Sequence, residues 1–270
     1  MQKGIITMYK QIGETPLECL KRARILHHIH DSLPMTYAGR LDPMAEGLLI
    51  ILVGEECKNK QKYLNLDKTY EFEILAGFST DTYDLLGKVT SPEIVFERSS
   101  DLLSDFQSAG QTVPKTISGF VPTLTSFVGT FTQSYPAFSS KTVDGNQLFQ
   151  LAKDDQLPGG LPEHEVTIYK LQCTNTIILK KEVLHKEILQ RIAKVAGDFR
   201  QIEIIKIWDE VFEKIKQKEF QILSCVVECS SGTYIRQLVD DISDRIDLPL
   251  VTYSIKRTRV GDYKLEDITT

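Results

Sequence analysis

Apolar and polar positions alternate at two different periods along the chain, and the two periods divide it into strands and helices. Gly4 to Tyr9 is apolar and β-branched enough for a strand. Thr15-Pro16 then offers an N-cap and a first-turn proline for a helix running to about His28. After a turn near Asp31 to Thr36, a Gly- and Pro-punctuated loop from Tyr37 feeds the apolar strand Leu48 to Val53. Glu55 to Leu64 reads as a short helix. Thr69 to Leu75 alternates as a strand, with Tyr70, Phe72 and Ile74 on one face, until Thr80-Asp-Thr-Tyr-Asp interrupts it with turn residues.

Further along, helices are expected over Ser100 to Ala109 and Gln147 to Lys153, with a strand from Gly129 to Pro136 and a turn at Pro158 to Pro162. Val166 to Leu179 and Phe220 to Cys229 read as strands. Between them Lys, Glu, Ile and Leu recur at helical spacing with a break near Gly197-Asp198, which predicts an inserted helical pair. A helix from Tyr234 to about Ile246 and a strand from Leu248 to Val260 follow. Strands interleaved with helices point to an α+β fold, or a mixed α/β one, and the strand order is not readable from the pattern. With no internal repeat, low-complexity tract or long linker, one domain spanning 1–270 is the simplest organisation.

Composition narrows the class. A chain of 270 residues that is 41% hydrophobic and 26% charged can bury a substantial core. Its longest apolar run, Gly47 to Gly54, falls well short of the ~20 residues a membrane helix needs, and the start lacks a signal-peptide pattern, so a cytoplasmic protein without membrane attachment is expected. Five scattered cysteines fit a reducing compartment. Cys225 and Cys229 share a strand face but sit about 13 Å apart along it, too far for one zinc with ~2.3 Å bonds. His27, His28 and His30 point around a helix end and read as surface polar groups, so no metal is expected. A net charge of −5 argues against unselective coating of nucleic acid. Basic residues nonetheless gather at Lys21, Arg22 and Arg24, at Lys58, Lys60 and Lys62, and at Arg236, Lys256, Arg257 and Arg259. Any one such cluster alone reads as solvated surface charge.

Asp42 is the candidate for chemistry. It follows Gly39-Arg-Leu and precedes Pro43, where a loop meets a buried strand. The proline restricts the residue before it to extended backbone, so the carboxylate cannot be drawn into a helix. An Asp-Pro pair by itself is commonly just a turn.

The segment Gly39-Arg-Leu-Asp-Pro-Met-Ala-Glu-Gly-Leu-Leu resembles the active-site motif of the TruB family of tRNA pseudouridine synthases. Other blocks similar to that family stand in the same order: Gly4-Ile-Ile-Thr-Met-Tyr-Lys, Asp67-Lys-Thr-Tyr-Glu-Phe-Glu, Gly77 to Gly87, Tyr135-Pro-Ala-Phe-Ser-Ser-Lys-Thr-Val-Asp-Gly, and Cys229-Ser-Ser-Gly-Thr-Tyr-Ile-Arg. The resemblance spans about residues 4 to 267, apart from 181–217, which is read as an insertion outside the family pattern. It implies a mixed central sheet with flanking helices and an RNA-binding cleft, with neither metal nor organic cofactor. A monomer is the default expectation, and as a departure from the family pattern no C-terminal PUA-type RNA-binding domain of the kind many relatives carry is expected.

The resemblance implies roles as well. Asp42 would be the carboxylate that attacks the uridine base or its sugar, Tyr70 the tyrosine against the target base that takes part in proton removal, and Arg236 the arginine paired with the aspartate. A guanidinium fork would hold the carboxylate charged and oriented. Lys10, Tyr234 and Ile255 fall on positions lining the site, and Arg257 is grouped with them as substrate-binding. Tyr37 stands where the family commonly has histidine, five residues before Asp42, and keeps a flat face for a displaced nucleotide. Arg40 replaces a small residue and would add a phosphate contact. The expected substrate is structured RNA, foremost the T-arm uridine of tRNA numbered 55, turned out of its stack for reaction. A paralogue acting on another RNA, or a tRNA-binding and folding protein with weak or lost catalysis, is the alternative.

Overall fold

The computed structural model describes residues 4–90 and 123–268. The helix expected at Ser100 to Ala109 lies outside them.

The chain opens with strand β1 (Ile5–Lys10) and helix α1 (Pro16–Leu26). Thr15 and Glu18 close a reciprocal capping box at the start of α1, with Pro16 in the first turn, as the sequence predicts. The helix stops at Leu26, two residues before the expected end. Strand β2 (Met35–Ala38) then forms where a turn and loop were expected, because it pairs antiparallel with the distal half of β3 (Ala45–Val53). The next helix divides into a 3₁₀ turn, Gly54–Asn59, and a short α2 (Lys60–Leu64). Strand β4 (Lys68–Ala76) follows.

Beyond residue 122 come β5 (Gly129–Ser134), a small hairpin of β6 (Thr142–Val143) and β7 (Asn146–Gln147), α3 (Leu148–Lys153) and the long strand β8 (Glu163–Lys180). The helical pair predicted between the two long strands is present as α4 (Lys181–Ala193) and α5 (Gln201–Lys214), joined by a turn at the expected break. Then come β9 (Glu219–Cys229), α6 (Ile235–Ile246), β10 (Leu250–Val260) and β11 (Tyr263–Lys264).

Apart from the β6–β7 hairpin, the described strands form one mixed sheet in the order β1-β3-β10-β4-β9-β8-β5, with β2 also on β3 and β11 on β10. The β3–β10 pairing is parallel and the other pairings are antiparallel. This is the α+β arrangement with a mixed central sheet expected from the sequence.

Period-two alternation sends neighbouring side chains to opposite faces of this sheet. Tyr70, Phe72 and Ile74 of β4 and Leu223, Cys225 and Val227 of β9 pack with Leu238, Val239 and Ile242 of α6 on one face. Leu75 and Ile222, one position out of phase, pack with Leu184, Ile188, Trp208 and Phe212 of the helical pair on the other. Trp208 is fully buried and donates its indole N–H to the Leu85 carbonyl at 3.1 Å, which satisfies its polar end inside the core. The helical pair is therefore a cover for one face of the central sheet. No helix among the described residues is long and apolar enough to cross a membrane.

Candidate active site

The loop from Gly39 to Met44 is anchored from beneath by two buried cations. Lys10, at the end of β1, is fully buried, and its ammonium donates to the carbonyls of Ala45 at 2.5 Å, Gln11 at 3.1 Å and Pro43 at 3.5 Å. Burial pulls its pKa down to about 8, against the opposing pull of the Asp42 charge. Arg257, on β10, is 1% exposed and donates to the carbonyls of Leu48, Gly39 and Arg40 at 2.8, 3.2 and 3.3 Å. Its guanidinium is spent on backbone, so it acts on the site by shaping the loop from within. The loop's own turn is closed by Ala45 N donating to Asp42 O at 3.0 Å.

On this platform Asp42 meets Arg236, which stands in the first turn of α6. Arg236 Nε donates to Asp42 Oδ2 at 2.7 Å, Nη1 to the Thr82 carbonyl at 2.6 Å, and Nη2 to the Phe138 carbonyl at 3.4 Å. The arginine side chain is 3% exposed and the aspartate side chain 37%. A buried base thus presents a half-open carboxylate. Oδ1 of Asp42 takes no hydrogen bond among the described residues.

A second carboxylate shares the arginine. Asp84 Oδ2 lies 3.6 Å from Arg236 Nε, while its Oδ1 accepts from the Thr82 hydroxyl at 2.7 Å and from Leu86 N at 3.0 Å. Burial raises Asp84 to about 6, with the Arg236 charge working the other way. For Arg236 itself burial disfavours the cation, but Asp42 and Asp84 outweigh it, and the net direction is upward. Asp84 was not singled out from sequence, because Thr80-Asp-Thr-Tyr-Asp reads as a turn. Its one signal was its place within the second family-like block.

Tyr70 and Ile255 lie in the same buried cluster as Leu41 and Ala45, so both flank the loop, and Ile255 pairs with Ala45 across β10 and β3. Burial pushes the Tyr70 hydroxyl upward, and at neutral pH it is a phenol. Tyr234 is the N-cap residue of α6, held through its backbone by both ends of the Gln133 amide at 2.9 and 3.2 Å. Its hydroxyl is pushed up to about 12 by burial and then by the Asp42 charge. Arg40 is exposed on the loop.

Tyr37 is placed apart from these residues. It packs with Met8 and Leu49 in the α1-side cluster, and the Lys60 ammonium sits 5.4 Å from its ring centre. An aromatic group that sequence alone did not reveal lies beside Tyr234 instead. Tyr135 stacks on His164 at 4.1 Å between ring centres and meets Tyr234 edge-on at 5.6 Å, with the Lys141 ammonium 4.6 Å from the Tyr135 ring. A cationic, aromatic ledge next to an anionic carboxylate suits a phosphate-linked base.

The architecture is the pseudouridine synthase catalytic fold. The Cbf5 chains of a Cbf5-Nop10-Gar1 complex and of the archaeal box H/ACA Nop10-Cbf5 complex superpose with TM-scores of 0.54 and 0.52, each at 14% identity over 97% of this chain. The chain spans about half the length of those chains, 50% and 49%. At the level of sequence, residues 29–122 match the TruB family pseudouridylate synthase N-terminal domain. The tRNA pseudouridine synthase B of Caldanaerobacter subterraneus subsp. tengcongensis is 26% identical over 97% of this chain and 70% of its own length. That of Borreliella burgdorferi is 26% identical over 100% of this chain and 73% of its own. The chain is thus similar to the TruB family over residues 29–122 and to tRNA pseudouridine synthase B over nearly its whole length.

Proposed function

We propose that this protein isomerises a specific uridine to pseudouridine in structured RNA, with uridine 55 of the tRNA T-arm loop as its target. What carries the reading is the Asp42–Arg236 contact at 2.7 Å, in which a buried guanidinium backs a carboxylate open to solvent. An ionised oxygen so held can attack without first losing a proton, and its orientation is set before substrate arrives.

In this reaction the N1–C1′ bond of the nucleotide breaks while Asp42 supplies the anionic oxygen. The freed base turns, C5 bonds to C1′, the C5 proton leaves, and N1 is protonated. Tyr70 packs against the base and takes part in the proton transfer, and Ile255 closes the apolar side. Arg40, Tyr234 and the Tyr135–Lys141 ledge receive the flanking nucleotides. Extruding the uridine costs a few kcal/mol, which stacking on such a surface offsets.

The test is pseudouridine mapping on a tRNA transcript with wild type, Asp42→Asn and Asp42→Ala. The expected result is modification at position 55 by wild type alone, with all three proteins folded and binding tRNA to within about twofold. Turnover retained by Asp42→Asn would overturn the role of Asp42. Modification elsewhere would overturn the target.

A further inference from the structure

The turn between α4 and α5 reaches both halves of the Asp42–Arg236 pair. On the aspartate side, Ala196 N donates to Gly13 O at 2.9 Å and Gly13 N donates to Pro43 O at 2.8 Å. Two backbone hydrogen bonds thus connect the turn to the residue after Asp42. The approach is close, since a Cβ on Gly13, whose φ is +84°, would stand 2.1 Å from the Lys194 carbonyl oxygen.

On the arginine side the connection is Arg200. Its Nη1 donates to Asp81 Oδ2 at 2.8 Å and its Nη2 to Asp81 Oδ1 at 3.4 Å, while the guanidinium carbon lies 4.2 Å from the centre of the Phe138 ring. Asp81 immediately precedes Thr82. The carbonyls of Thr82 and Phe138 are the two that receive the Nη groups of Arg236. One side chain from the helical pair therefore joins the two segments on which Arg236 rests.

Local backbone agrees with this placement. Arg200 has φ +63°, a left-handed conformation that an L-residue without special constraint rarely adopts. Gln201 braces the turn, accepting from Phe199 N at 2.7 Å and donating to the carbonyls of Gly197 at 2.7 Å and Val195 at 3.1 Å. An exposed ion pair would contribute little. Here the Arg200 and Asp81 side chains are 19% and 25% exposed, and the guanidinium lies over the Phe138 ring, so it contacts a ring as well as a charge.

We propose that Arg200 is a positioning residue for uridine isomerisation, clamping the 79–84 and 135–140 segments so that Arg236 keeps Asp42 aimed at the substrate. This rests on the reading of Asp42 and Arg236 given above. The α4–α5 unit, on this view, belongs to the catalytic apparatus and is more than a cover for the sheet.

The test compares Arg200→Ala with Glu203→Gln, which breaks a neighbouring ion pair of α5, Glu203 with Lys88, without touching Phe138. Single-turnover pseudouridine formation, tRNA Kd, thermal unfolding and the Arg236 Nε–H proton resonance, assigned by its loss in Arg236→Lys, are measured for each. The expected result for Arg200→Ala is a rate at saturating tRNA lowered at least tenfold, Kd within twofold of wild type, an intact cooperative unfolding transition and a displaced Arg236 resonance. Glu203→Gln should match wild type in all four. An unchanged Arg236 resonance, a rate loss confined to the Kd, or an equal rate loss in Glu203→Gln would overturn the proposal. If wild type forms no pseudouridine the functional reading fails, and the resonance alone then decides whether Arg200 positions Arg236.

Discussion

Gly47 and Arg257 face each other across the parallel β3–β10 pairing, and no space is left between them for a side chain. A Cβ at Gly47 would lie 2.3 Å from the Arg257 carbonyl oxygen and 2.8 Å from its nitrogen, and Gly47 has φ +109°. The same Arg257 holds the carbonyls of Gly39 and Arg40, so the close approach of two backbones sets the height of the loop that carries Asp42. Gly47→Ala is expected to lower stability by at least about 2 kcal/mol, from strain and separation of the strands. Urea unfolding measures it, and an unchanged midpoint would contradict the contact.

Asp84 should matter by its charge and by its hydrogen bonds separately. Asp84→Asn keeps the shape and removes the charge behind Arg236, with an expected rate loss of about tenfold. Asp84→Ala also strips the Leu86 N–H of its buried acceptor and leaves the Thr82 hydroxyl only its longer 3.3 Å bond to the backbone carbonyl of residue 84, costing a further ~1–3 kcal/mol of stability. Burial holds Asp84 at about 6 in the folded protein, above its ordinary 3.8. The folded form therefore binds this proton more tightly, and its contribution to stability declines as pH rises across that interval. That slope should vanish in Asp84→Asn. A wild-type rate in the Asn variant would leave Asp42 as the sole carboxylate that matters to Arg236.

Lys10 predicts opposite pH trends for stability and activity. Its folded pKa, about 8, lies below the ordinary 10.5 because of burial. Between those values the unfolded chain holds the extra proton, so this residue's contribution to stability rises with pH. Activity should fall over the same range, because the neutral amine loses a donor to the Ala45, Gln11 and Pro43 carbonyls and the positive charge near Asp42. A pH–rate profile with an alkaline limb near 8, absent in Lys10→Met, is the expected outcome. A flat profile from pH 7 to 10 would contradict it.

Tyr70→Phe retains the ring that packs with Leu41 and Ile255 and removes the hydroxyl. Release of tritium from uridine labelled at C5 should slow at least tenfold, with tRNA affinity within about twofold of wild type. Equal release rates would show that the phenol only packs.

Elements whose pattern is local were legible in the sequence, and features made by distant pairing were not. The capping box of α1, the α4–α5 pair with its break and the alternation of β4 all follow from short-range chemistry. Strand β2 forms because β3 offers it a partner, which no property of Met35 to Ala38 announces. The motif around Asp42 and its pairing with Arg236 were readable through family resemblance. Asp84 was hidden in a turn-like stretch. Arg257 was misread as substrate-facing because a cation in a basic cluster normally stays wet, whereas here three loop carbonyls replace its water. The Tyr135–His164 stack joins residues on different elements, and only the folded chain brings them together.

Strand β10 lies between β3 and β4, and through it the N-terminal strands join the rest of the sheet. During synthesis the segment carrying Asp42 and the segment carrying Tyr70 both leave the ribosome long before residues 250–260 can wedge between them. Such long sequence separations slow folding. A nascent chain halted before β10 should accordingly remain unable to act on RNA, so that competence arrives late and all at once in translation.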